Sequence, residues 1–131
     1  MVYNTRGTIR YKDDGWVIVE CPTTVVNYYK FWVEKFLGKK ISTSYHDAHI
    51  TVVSGKYEKG LQHKHAWKKY DGQTVKFRYS NEIRTDNEWF TRGKYFWLPV
   101  ECKTLQKVRV ELGLKPEPYH QYHLTIGYCG Y

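Results

Sequence analysis

The apolar pattern along the chain switches between two periods. Arg6–Tyr11 predicts a short strand, Asp13-Asp14-Gly15 supplies turn residues, and the β-branched run Trp16–Glu20 predicts the hairpin partner. The period then lengthens. Pro22 opens a segment that Thr23 or Thr24 can cap, and Val25, Tyr28, Tyr29, Trp32, Val33 and Phe36 follow at helical spacing up to Gly38, a stop signal. The Tyr and Trp stripe of this helix reads as core. His49–Val53 predicts a further strand.

Tyr57–Lys69 is polar, rich in His and Lys, and reads as a loop with some helix. Asp71-Gly72 is a turn, and Thr74–Tyr79 alternates cleanly as a strand. Asn81–Gly93 is loop-like. Tyr95–Glu101 predicts another strand, in which Pro99 marks an edge or a bulge. Thr104–Leu112 predicts a helix with Leu105, Val108 and Leu112 on one face and Gly113 as its stop. Pro116 and Pro118 exclude regular structure, and His123–Tyr128 is the last strand. The order is β-β-α-β twice over, each half ending on a strand that begins with His. The expected class is α+β, with antiparallel pairing available in each half.

Composition narrows the picture. A chain of 131 residues and 15.7 kDa fits a single domain spanning 1–131 and buries a core without disulfide or metal staples. With 41% hydrophobic and 26% charged residues it is not a disordered sequence. No apolar run approaches the roughly 20 residues of a membrane span, and Met1–Arg10 lacks the apolar stretch of a secretory signal. Cys21, Cys102 and Cys129 are odd in number and show no CxxC spacing, which suits small buried thiols in a reducing cytoplasm. Lys and Arg number 21 against 13 Asp and Glu, a net +8, which suits a polyanionic partner. Aromatics reach 18%, so cations for phosphate coexist with flat rings for bases.

Two tetrapeptides carry the chemistry. His49-Ile50-Thr51-Val52 and His123-Leu124-Thr125-Ile126 share one pattern, one per half, each on a predicted strand. Side chains i and i+2 of a strand point the same way, so His and Thr share one face while the aliphatic pair anchors the other. Two such strands side by side line a cleft with two imidazoles and two hydroxyls. Near neutral pH one imidazole abstracts a proton while the other protonates a leaving oxygen. The hydroxyls donate to nonbridging phosphate oxygens. Such a set suffices for phosphodiester cleavage without a metal.

These paired His-hydrophobic-Thr-hydrophobic motifs in a small duplicated α+β domain resemble those of the 2H phosphoesterases. The resemblance implies a bilobal fold around a central cleft and metal-independent cleavage of phosphodiesters involving a ribose 2′ oxygen. It implies His49 and His123 as the catalytic pair, in either assignment of acid and base, and Thr51 and Thr125 as phosphate-binding hydroxyls. The short chain, the compact loops and the Arg6–Tyr11 strand look most like phage-encoded members, among them the anti-CBASS nucleases. Those cleave cyclic oligonucleotide second messengers of bacterial immunity when a substrate 2′-hydroxyl attacks the neighbouring 3′–5′ bond; a phage protein would act in the host cytoplasm. Members acting on 2′,3′-cyclic phosphate ends of RNA share the same motifs. A noncatalytic RNA-binding domain is the alternative from a different class.

His46 and His120 each precede a motif His by three residues, a spacing that invites zinc. Residues i and i+3 of a strand point to opposite faces, and no cysteine or acidic residue completes a set of standard spacing, so no metal or cofactor is expected. Tyr11 and Trp67 are the candidates for base stacking, and His63, Lys64, His65, Lys68 and Lys69 form a basic loop. Trp89, Phe90, Tyr95 and Trp97 fit either cleft or core.

Overall fold

The computed structural model describes residues 1–42, 48–88 and 93–130. In chain order it contains β1 (Val2–Tyr11), β2 (Val17–Glu20), α1 (Thr23–Leu37), β3 (His49–Val53), β4 (Thr74–Ser80), β5 (Arg84–Glu88), β6 (Gly93–Glu101), α2 (Lys103–Glu111) and β7 (His123–Gly130). Each element expected from the sequence is present. β5 is an addition inside the segment read as a loop. Its sequence, Arg-Thr-Asp-Asn-Glu, has no apolar alternation, and its five-position ladder with β6 makes it a strand. Tyr57–Lys69 forms successive turns without helix.

All pairings are antiparallel, and one sheet runs β4-β1-β2-β3-β7-β6-β5. β4 also pairs with β6, so the sheet closes into a barrel-like ring from which β5 extends. The two halves therefore share a sheet. β4, the first strand of the second half, pairs with β1 from Val2↔Ser80 to Thr8↔Thr74 and with β6 only at Arg78↔Glu101 and Tyr79↔Val100. The cause is edge availability: β5 already occupies that edge of β6 up to Trp97. Pro99 falls in the gap between the two ladders, where its missing N–H leaves no bond unmade.

The helices pack crosswise, α1 against β7 and α2 against β3, so each half braces the motif strand of the other. Just past α1, Ser42 exchanges two backbone hydrogen bonds with Tyr128 of β7, at 2.8 and 2.7 Å. A Cβ on Gly127 would stand 2.7 Å from the Ser42 carbonyl oxygen, so this approach needs glycine. Gly38 ends α1 at φ 72°, with its N–H bonded to the Glu34 carbonyl. Pro22, rather than a threonine, occupies the N-cap, and no side chain caps that end.

The core face of α1 differs from expectation. Val26, Tyr29 and Val33 are buried, whereas Tyr28, Trp32 and Phe36 are exposed. Both stripes run at i, i+3 or i+4 spacing, and the sheet covers only one. On α2, Leu105, Val108 and Leu112 are buried as the pattern requires. No helix among the described residues is long and apolar enough to cross a membrane.

Candidate active site

The two motif strands are neighbours in the sheet. β3 and β7 meet through a single register pair, Ile50↔Leu124, both with 0% of their surface exposed. The antiparallel sense of that pair sets Thr51 towards His123 on one side and His49 towards Thr125 on the other. Cross-strand neighbours have Cβ atoms about 4.5–5.5 Å apart when directly opposite. All four polar motif side chains are half-buried, while the aliphatic residue between each His and Thr is sealed in the core. The shared polar face anticipated from strand geometry is present.

A matching irregularity follows each Thr. Between β2 and β3 the register passes from Ile18↔Thr51 to Val17↔Val53, leaving Val52 as an extra residue. Between β6 and β7 it passes from Trp97↔Thr125 to Phe96↔Gly127, leaving Ile126 extra. Both motifs thus carry a β-bulge at their fourth position. The bulges interrupt alternation, so Val52 and Val53 are both buried, as are Ile126 and Gly127. A bulge bends its strand and re-aims adjacent side chains. Here it turns each strand immediately after its His and Thr.

His123 is held in one tautomer. Its Nδ1 lies 2.8 Å from the Gln121 carbonyl oxygen, which can only accept, so Nδ1 donates and Nε2 of the neutral ring keeps its lone pair. Burial pulls the His123 pKa below the ordinary 6.5, prevailing over the upward pull of the Gln121 carbonyl; His120 also lowers it and Asp86 opposes. Trp97, opposite Thr125, packs edge-on against the imidazole with centroids 5.6 Å apart and planes at 66°. The Trp97 indole N–H is buried without a partner among the described residues. His49 faces Glu20 across the β2–β3 ladder, and Glu20 is shared with Arg10 at 3.5 Å.

A cavity of about 590 Å³ opens on the Thr51–His123 side. One wall is the turn after β3, including Ser54, Tyr57 and Glu58; the other carries Pro118, Tyr119 and His120; Trp16 lines the space between. Arg109 of α2, 3% exposed, ties both walls together. Its Nη1 donates to the Val52 carbonyl freed by the bulge and to Glu58 Oε1, and its Nη2 to Glu58 Oε2, each at 2.8 Å. Its Nε donates to the Lys115 carbonyl at 2.7 Å, at the root of the second wall. Burial pushes the Glu58 carboxyl up, but the Arg109 guanidinium and the Ser54 amide outweigh it and hold the group below the usual carboxylate range.

The other expected site residues lie elsewhere. Tyr11 is 7% exposed and joins the core, its ring edge-on to Trp67 at 5.0 Å; neither lines the cavity. Tyr11 is thus enclosed as a packing residue, while Trp67 is half-buried at the edge of the core. The basic loop is exposed, with Lys69 paired to Glu111 of α2 at 2.8 Å. Of the four undecided aromatics, Trp97 belongs to the site and Tyr95 packs against Tyr128; Trp89 and Phe90, like His46, lie outside the described residues. Among the described residues no cluster of three His, Cys, Asp or Glu is arranged for a metal. Sequence reading missed Trp16, Tyr57, Tyr119 and Arg109. Arg109 carried a signal, since it lies four residues after Leu105 on the apolar stripe of α2.

The family model of the Swiss Army Knife 2H phosphoesterase domain, 2H-SAK, matches residues 15–130. Comparison with curated proteins and with solved structures gives no match. That span includes both bulged motif strands, both helices and the cavity, and on it the chain belongs to the 2H phosphoesterase family, whose chemistry is phosphodiester cleavage.

Proposed function

We propose that the protein is a metal-independent phosphodiesterase that cleaves 3′–5′ bonds of cyclic oligonucleotide second messengers, with the ribose 2′-hydroxyl as nucleophile. The observation that carries this reading is the junction of β3 and β7, where two bulged motif strands turn His49, Thr51, His123 and Thr125 to one face of the sheet. In this reading His123 Nε2, unprotonated on a half-buried ring, takes the proton of the 2′-hydroxyl. The 2′ oxygen bonds to phosphorus, the bond to the 5′ oxygen breaks, and His49 protonates that leaving oxygen. The products are a 2′,3′-cyclic phosphate and a free 5′-hydroxyl. Thr51 and Thr125 donate to the nonbridging oxygens as charge builds. The +8 net charge and the ligand-sized cavity beside His123 suit a compact anionic ligand, and removal of an immune signal in a bacterial cytoplasm is the matching biological role.

The test is a side-by-side assay in EDTA with a 3′,3′-linked cyclic dinucleotide and an RNA ending in a 2′,3′-cyclic phosphate, against a His49→Ala/His123→Ala blank. The expected result is cleavage of the cyclic dinucleotide. Opening of the RNA end alone reassigns the protein to RNA processing. Silence on both, with RNA binding unchanged in the blank, makes it a noncatalytic binding domain.

A further inference from the structure

We propose that the cavity between the turn after β3 and the segment before β7 is a nucleobase site, and that it receives the base of the nucleotide whose 2′-hydroxyl attacks. The inference rests on the phosphodiesterase reading above and adds a ligand, a place and a polarity to it.

Three aromatic rings from three separate segments border this one space. Trp16 follows the β1–β2 turn, Tyr57 lies in the turn after β3, and Tyr119 lies before β7. Trp16 is built in: the backbone of Gly55 lies against its indole so closely that a Cβ there would stand 2.4 Å from Cδ1. Tyr57 is presented by a tight turn in which the Lys56 and Tyr57 amides both donate to Ser54 Oγ, at 3.3 and 3.2 Å, and the Glu58 amide donates to the Ser54 carbonyl at 2.8 Å. Arg109 anchors that turn through Glu58 and the facing segment through Lys115. Yet Tyr57 is 79% and Tyr119 99% exposed, so their rings contribute little to the core. Rigid backbone carrying unpacked rings around a ligand-sized space is the arrangement that stacking on a base requires. Lys56, its Nζ 5.1 Å from the Tyr57 ring centroid, and His120 supply polar and cationic groups at the rim.

Polarity follows from which catalytic groups share the cavity. Thr51 and His123 line it. His123 is the proton acceptor in the proposed reaction, so the ribose whose 2′-hydroxyl it deprotonates lies at this cavity, and its base enters the aromatic space. The leaving 5′ nucleotide lies towards His49 and Thr125. Discrimination among bases therefore falls on the nucleotide that keeps the phosphate.

The test uses two probes that mimic the two sides, adenosine 3′-monophosphate and adenosine 5′-monophosphate, titrated by calorimetry into wild-type protein and into Tyr57→Ala and Tyr119→Ala. Both tyrosines are exposed, so the variants should retain the wild-type melting temperature. The expected result is that each variant weakens the 3′-monophosphate about 10-fold, in line with the loss of one stacking partner, and leaves the 5′-monophosphate within about 2-fold. KM for the cleaved substrate should rise in parallel, with kcat retained. Equal binding of the 3′-monophosphate by wild type and both variants overturns the assignment, as does greater sensitivity of the 5′-monophosphate. Variant-sensitive binding together with no turnover of any phosphodiester by the wild type overturns the phosphodiesterase reading instead and leaves a nucleotide site.

Discussion

Arg109→Met isolates the group that joins the two walls of the site. Methionine keeps much of the aliphatic stem and removes the guanidinium. Four hydrogen bonds are lost with it: two to Glu58, one to the Val52 carbonyl and one to the Lys115 carbonyl. The Glu58 side chain, 24% exposed, loses its cation and keeps the Ser54 amide bond. Removing one partner of a buried ion pair typically destabilises by about 3–5 kcal/mol. With an unfolding entropy of about 2.1 cal/mol/K per residue, a chain of this length should lose roughly 11–18 °C in Tm. Glu58→Gln added to Arg109→Met should recover part of this loss, because the stranded charge is then gone. Thermal unfolding followed by circular dichroism reads both, and KM measured well below the lower Tm should rise as the walls separate. A Tm within about 3 °C of wild type and an unchanged KM would refute the claim that one guanidinium holds the site together.

Acid stability should show the same contact. The Glu58 pKa is depressed by Arg109, so its contribution is present above the unfolded value near 4.3 and is lost as pH falls through the lower folded value; Glu58→Gln should flatten Tm against pH in that window. The His123 pKa is lowered by burial, so the acid limb of kcat/KM should have its midpoint below 6.5, and Trp97→Ala, which admits water to the imidazole, should move that limb upward; a limb above 7 in the wild type counts against His123 as base. His49→Ala and His123→Ala should each reduce the rate by about 10²–10⁴-fold, with Tm within a few degrees of wild type; a loss of activity that merely tracks unfolding contradicts a catalytic role. Activity should persist in EDTA, and loss on chelation followed by rescue with zinc would replace the two-imidazole mechanism.

The elements with a strong single period were legible from sequence. β4 alternates strictly, α2 keeps Leu105, Val108 and Leu112 on one face, and both motif strands alternate up to their bulges. What sequence could not supply was set by partners. β5 has no pattern of its own and exists because β6 offers it an edge. The choice between the two stripes of α1 depended on which face the sheet covers, and both satisfied helical spacing equally well. The four motif residues were readable because their spacing forces a shared face. The cavity was not, because Trp16, Tyr57 and Tyr119 come from three separate segments and only the folded chain brings them together. Tyr11 illustrates the converse: an aromatic at a strand end beside a polar turn looked open, yet Trp67 packs against its ring and it joins the core.

Duplication alone does not decide which imidazole of a pair carries the proton, since identical surroundings give both the same intrinsic affinity. The halves repeat the backbone and vary the neighbours. Register and bulge are the same on both sides, so Ile18 and Glu20 stand to Thr51 and His49 as Trp97 and Pro99 stand to Thr125 and His123. One motif His thus faces a carboxylate across its ladder, and the other faces a proline with an indole packed on its ring. Apolar cover favours a neutral imidazole, and burial lowers the His123 pKa accordingly. The Nδ1 bond of His123 to Gln121 completes that side by aiming the basic nitrogen away from the backbone. In the proposed reaction, the repeated strand, bulge and Thr supply two hydroxyls for one phosphate, and the differing cross-strand residues suit the two histidines to opposite tasks. In that reaction the same asymmetry orients the substrate, because the aromatic cavity opens beside the imidazole that takes the proton.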